Sequence, residues 1–169
     1  MEENINKKIE LRDKLISFFN ANKLKIYTLI GALILIAVII SFIKINNEKK
    51  VSLISEQYVE AGLYLASDKK EKAIELYEKI IFSKNKFYSI LALNTVLEKN
   101  LIQDNNKILN YFKLVEKLNI PEEQSDLIIF KKALYLIKMA NIKDGNQLLK
   151  DLINKNSKLT PLIEELVIE

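Results

Sequence analysis

The stretch IYTLIGALILIAVIISFI, from Ile26 to Ile43, stands between KLK and KINNEKK and decides the architecture. It is an uncharged run of roughly 18 residues, which as a helix covers about 27 Å, close to the hydrocarbon thickness of a bilayer. Ile, Leu and Val fill it without the period of a one-sided helix, so the apolar surface points all round, as lipid requires. Lys25 and Lys44 close the two ends and can snorkel to headgroups. A fully buried core helix would need a larger surrounding domain than a chain of 169 residues with a net charge of +4 provides. A cleaved signal peptide would have a shorter apolar core and a small-x-small site, and FIKINNEKK offers none. Residues 26–45 are therefore expected to form an uncleaved single-pass transmembrane helix.

Arg12, Lys14, Lys23 and Lys25 precede the apolar run, and Lys44, Lys49 and Lys50 follow it. This small bias favours a cytoplasmic N-terminus. Residues 1–25 form a leader with Ile5, Ile9, Ile16 and Phe19 at helical spacing and Leu11, Leu15 and Phe18 beside them. Two readings of the leader stay open. It lies in the membrane interface with Lys7, Lys8, Arg12 and Lys14 toward headgroups, or it is a short cytoplasmic helix without a partner.

Beyond Asn46 the composition changes to interleaved charge and regular apolar recurrence, which marks residues 46–169 as one domain of ordinary size. Basic and acidic residues nearly balance there, without the concentrated basic patch that nucleic-acid binding needs. Apolar residues recur at three and four in VSLISEQYVEAGLYLAS, EKAIELYEKIIFS, KFYSILALNTVLEK, NNKILNYFKLVEKL, SDLIIFKKALYLIKMA and DGNQLLKDLINK, with a last helix around LTPLIEELVI. Polar turns separate them, and Pro121 before Glu122 and Glu123 is a helix start with acids at the positive end of the dipole. With 3 Gly and 2 Pro in the chain, the expected class is all-α.

Ala73, Tyr77 and Ile80 align with Ile108, Phe112 and Val115, and again with Gly145, Leu149 and Leu152. Each triplet keeps a four-then-three step, and Tyr64 and Leu136 stand nine residues before Ala73 and Gly145. The offsets resemble a tetratricopeptide repeat, in which a first-helix aromatic and a small second-helix residue let two antiparallel helices pack closely. The fold expected is thus a TPR-like α-solenoid of three units and a final helix. An ordinary helical bundle shows the same spacing at its seams.

With no His and no Cys, the commonest general base, the usual zinc ligands and the thiol nucleophile are absent, so no enzyme, cofactor, metal or small-molecule substrate is expected. Glu122 with Glu123, and Glu164 with Glu165, are adjacent helical residues that do not face each other, which suits a solvated face better than an acid–base couple. Core packing is expected for at least one member of each of the aromatic pairs Phe87–Tyr88 and Tyr111–Phe112, adjacent residues on a helix being turned about 100° from each other. On that basis Tyr88, Tyr111 and Tyr135 are the candidate partner-binding residues.

Taken together, LISFFNANKLK before a single span, VSLISEQYVEAGLYLA directly after the juxtamembrane lysines, and KFYSILALNTVLEKN resemble the family of ancillary SecYEG translocon subunits and cell-division-coordinator tetratricopeptide-like proteins. The resemblance implies an inner-membrane protein with a cytoplasmic N-terminus. It also implies a periplasmic helical-repeat domain with a chaperone-like role, whose partners are the translocon and periplasmic chaperones or clients. A second class is a structural subunit of another membrane complex, held through its span. Thr28 with Ala32, and Ala37 with Ser41, are small-x-x-x-small pairs that let another helix approach.

Overall fold

The computed structural model describes the backbone of residues 2–167, and the side chains among them except those of 2–11, Asp13, Leu15, Phe19, Ile26 and Val167. The leader's Ile5, Ile9, Leu11, Leu15, Phe19, Lys7 and Lys8 thus lie outside the described side chains. Every element among the described residues is a helix: α1 (Glu2–Ala66), α2 (Lys70–Phe82), α3 (Tyr88–Glu98), α4 (Asn105–Glu116), α5 (Glu122–Lys138), α6 (Ile142–Asn154) and α7 (Thr160–Val167). α1 runs through the expected boundary at residues 45 and 46, and the chain divides into compact units at 1–50 and 51–169.

In the first unit every described side chain from Tyr27 to Lys50 is exposed, including Leu29, Ile34, Ile36, Val38 and Phe42. One helix is thus long and apolar enough to cross a membrane. The Thr28 hydroxyl donates to the Lys25 carbonyl at 2.8 Å, so this polar group of the stretch is satisfied by its own helix. Lys44 and Glu48 face each other one turn apart at 4.0 Å.

In the second unit the apolar recurrence becomes a core in two clusters. The first gathers Ala61, Ala73, Tyr77, Ile80, Ile81, Leu93, Val96, Ile108, Tyr111, Phe112 and Val115 from α1 to α4, with Ile128 of α5. The second joins Phe130 and Ala133 of α5 to Leu149 and Leu152 of α6 and Ile163 of α7. All nine residues of the three aligned triplets are buried. Tyr58 of α1 sits 5.7 Å from the Tyr77 ring and 5.9 Å from the Tyr88 ring, which places α1 against both α2 and α3. At Tyr111–Phe112, where at least one core member is expected, both are fully buried. The reason is that α4 has neighbours on two sides: Tyr111 meets Phe82 at the end of α2, and Phe112 meets Tyr135 of α5.

The helix ends follow a rule that composition conceals. α1, α2, α3, α5 and α6 are each left through a non-glycine residue with positive φ: Asp68, Lys84, Asn100, Ala140 and Asn156. After α1, the Lys69 N–H returns to the Tyr64 carbonyl and the Asp68 N–H to Leu65; after α5, Asn141 returns to Leu136 and Ala140 to Ile137. This double closure caps the last carbonyls of each helix. The α1–α2 and α5–α6 turns are near copies. Lys69 (φ −88°, ψ 60°) matches Asn141 (φ −90°, ψ 61°), and each accepts from the N–H four residues on, that of Ala73 or of Gly145. Asp68 to Ala140 and Lys84 to Asn156 are both 72 positions (68 to 140, 84 to 156), two periods of the aligned pattern. At Gly145 the helices approach so closely that a Cβ would stand 2.5 Å from Ile137 Cγ1 and 2.8 Å from the Ala133 carbonyl oxygen.

Candidate binding groove

α5 carries Lys131, Tyr135 and Lys138 at i, i+4 and i+7, which puts all three on one side of the helix. That side meets α3 and the segment after it. Lys131 Nζ donates to Asn94 Oδ1 at 2.7 Å, Tyr135 Oη to Asn105 Oδ1 at 2.8 Å, and Lys138 Nζ to Asn100 Oδ1 at 3.4 Å. Beside this ladder lies a cavity of about 300 Å³ lined by Asn94, Leu97, Glu98, Lys131, Leu134 and Tyr135, among others. A second hollow of about 210 Å³ on the α4 side shares Leu97, Asn100, Tyr135 and Lys138 with it. The result is one groove with Tyr135 at its centre, an apolar floor of Leu97 and Leu134, and polar walls.

The chemistry of those walls is one-sided. The Asn94 and Asn100 carbonyl oxygens are taken by lysines, so the free polar atoms of those pairs are amide and ammonium N–H groups. Neither Lys131 nor Lys138 forms an ion pair among the described residues. Glu98 is the acceptor on the rim. The Tyr135 hydroxyl is held in its neutral form, its pKa raised first by burial and then by the Asp104 carboxylate. Asp104 itself is fixed as the N-cap of α4, where it accepts from the Asn106 and Lys107 N–H groups.

The three candidate tyrosines are not brought together. Tyr135 lies in the groove, half-buried. Tyr88 is half-buried in the α1–α3 contact, where its hydroxyl donates to Ser55 Oγ at 2.8 Å. Next to it, Tyr58 and Thr95 join hydroxyls at 3.0 Å, and Thr95 donates onward to the Leu91 carbonyl. Tyr111 has no exposed surface to offer a partner. Its hydroxyl lacks a hydrogen bond of good geometry yet lies by Glu78, and burial, followed by the Glu78 carboxylate, drives its pKa up. Glu78 is in turn ion-paired to Lys107 across α2 and α4.

Sequence reasoning passed over Asn94, Asn100, Asn105, Lys131 and Lys138, because each alone looks like an ordinary solvated residue. The available signal was the spacing of Lys131, Tyr135 and Lys138 on one face of a helix whose opposite face is apolar. No family model, curated protein sequence or solved structure matches this chain.

Proposed function

We propose that the chain is a membrane-anchored protein–protein interaction module. Residues 26–45 span the inner membrane with the N-terminus cytoplasmic, and 46–169 form a TPR-like repeat domain in the periplasm that takes polypeptide segments in the groove between α3 and α5. The observation that carries the reading is the Lys131–Tyr135–Lys138 ladder, an aromatic anchor between two unpaired cations over an apolar floor. Aromatic anchors in partly desolvated grooves are where binding energy concentrates. The duplicated turns, 72 residues apart, and the burial of all nine triplet positions support repeated helix pairs over an irregular bundle. The uncovered apolar stretch of α1 supports a lipid-facing span. Confinement by the span raises the local concentration of membrane partners, so modest contacts suffice. The resemblance to ancillary SecYEG subunits makes the translocon, with its emerging chains and periplasmic chaperones, the first partner to test.

A photo-activatable residue placed at Asn94 in the membrane-embedded full chain should cross-link a translocon component or a translocated chain, and Lys131→Glu with Lys138→Glu should abolish the product. The same probe at Glu75, exposed on α2, should give none. Equal cross-linking from both positions would remove the groove from the account. A reporter fused after Glu169 should be active in the periplasm, and cytoplasmic activity would reverse the orientation. The alternative, a structural subunit held by its span, draws support from Thr28, Ala32, Ala37 and Ser41, all exposed on α1. It predicts that partner capture survives deletion of the domain.

A further inference from the structure

The α2–α3 turn and the α6–α7 turn share one design. Each leaves its helix through a left-handed residue, Lys84 (φ 56°) or Asn156 (φ 55°). In each, the next side chain, Asn85 Oδ1 or Ser157 Oγ, accepts from the N–H two residues on, that of Phe87 or Leu159. The α2–α3 turn is pinned further: Asn85 Oδ1 accepts from the Tyr88 N–H, Ser83 Oγ donates to the Ile80 carbonyl, and buried Ser89 Oγ donates to that same carbonyl. What differs is the residue that ends the turn. Leu159 packs on the second core cluster, whereas Phe87, its counterpart, is 64% exposed, and Phe82 at the other end is 52% exposed. Lys84 and Lys86 stand exposed between the two rings, and neither has an acidic partner among the described residues.

The place of this turn gives it an occupant. The Tyr88–Ser55 hydrogen bond sets it beside the Val51 end of α1 within the domain. Val51 follows Ile43, the last residue of the apolar stretch, by eight residues, which reach at most about 29 Å even fully extended. A tether of that length leaves the turn within reach of the bilayer. We propose that the Phe82–Phe87 turn is a second lipid contact: the two phenyl rings enter the interface of the leaflet on the domain's side, and Lys84 and Lys86 pair with anionic headgroups. A rigid turn loses little freedom on docking, and the tether makes a shallow contact sufficient. This inference rests on the transmembrane reading of residues 26–45.

The chain contains no Trp, so Phe87→Trp in the full-length protein is a single reporter. It would be reconstituted in phosphatidylcholine vesicles with and without phosphatidylglycerol, some carrying a shallow doxyl label on the acyl chain. The expected result with phosphatidylglycerol is blue-shifted emission, quenching by the label and an iodide quenching constant lower by about threefold or more. Adding Lys84→Glu and Lys86→Glu should return the emission to that of a water-exposed indole. Phe42→Trp, within the apolar stretch, is the control and should be quenched by labelled lipid in both vesicle types. If Phe42→Trp is quenched while Phe87→Trp stays iodide-accessible, the lipid contact is overturned and the transmembrane reading stands. Blue-shifted Phe87→Trp emission that ignores labelled lipid would mean that protein covers the ring, and also overturns the contact. If neither position is quenched, the transmembrane reading itself fails.

Discussion

Residues 27–43 and helices α2 to α6 use the same side chains in opposite ways. Ile36 and Phe42 of the first region are 52% and 66% exposed, whereas Ile80 and Phe112 of the second are at 0%. The difference lies in apolar content and in how it is spaced. In α2 to α6, charged and polar residues recur among the apolar ones, leaving each helix part of its circumference polar. Between Ile26 and Ile43 nothing charged interrupts, so the run is apolar around its whole circumference. One region has a face to fold against its neighbours, and the other is long and apolar enough to cross a membrane.

The sharpest way to break that comparison is to remove a phenyl ring from each region. Phe112→Ala should destabilise the domain by about 3–5 kcal/mol, since it empties a fully buried site between α4 and α5. Phe42→Ala should leave the domain's urea midpoint unchanged, because that ring belongs to the exposed apolar stretch of the first unit. Equal losses would mean that the apolar stretch packs on the domain.

Next in size is a pair of glycines. Gly145→Ala sets a methyl against Ile137 and the Ala133 carbonyl and should cost about 1–3 kcal/mol despite alanine's better helix propensity. Gly62→Ala, where a Cβ meets nothing within 4 Å, should gain up to about 1 kcal/mol. If both variants gain stability in urea melts, the close α5–α6 approach is not present in solution. Ala73→Leu probes the equivalent place in the α1–α2 pair and should likewise cost about 1–3 kcal/mol, against roughly half a kcal/mol or less for the exposed Glu75→Leu.

The smallest effect concerns Tyr111. Its folded-state pKa is raised by burial and by Glu78, so the fold favours the neutral phenol. That stability is fully present below the unfolded pKa of about 10 and is lost as pH rises above it. Tyr111→Phe removes a buried hydroxyl that makes no hydrogen bond of good geometry, so it should change stability at pH 7 by about 1 kcal/mol or less. It should also flatten the decline above pH 10 in a series of melts. An unchanged alkaline decline would assign it to other groups.

Helices α2 to α7 were largely legible because their signals are local, apolar spacing setting each helix and polar clusters ending it, whereas the leader, the apolar run and the first helix after it, read as separate segments, form one continuous α1. Pro121 and the two glutamates after it mark the start of α5, where the quoted apolar run began only at Ser125. Ala73, Ile108 and Gly145 could be aligned because a close helix pair selects buried residues at a fixed offset. The left-handed exits at Lys84 and Ala140 were hidden, since neither residue signals a positive φ. The strain there is about 1–2 kcal/mol, small enough for the packing of the flanking helices to override. Tyr111 and Phe112 could not be separated by helical angle alone, because α4's second neighbour is a tertiary fact. The groove was hidden for a related reason. Asn94 and Asn100 meet Lys131 and Lys138 only after some 37 intervening residues fold back, and no local period announces that meeting.

The division between a lipid-solvated segment and a water-solvated domain is tested most directly by alkaline carbonate extraction of membranes holding the full chain, with residues 47–169 expressed alone in parallel. The full chain should stay in the membrane pellet, and the shorter piece should be soluble, helical by circular dichroism and cooperative in its melting. Release of the full chain by carbonate would contradict the account, because the stretch from Ile26 to Ile43 would then be covered by protein and not by lipid.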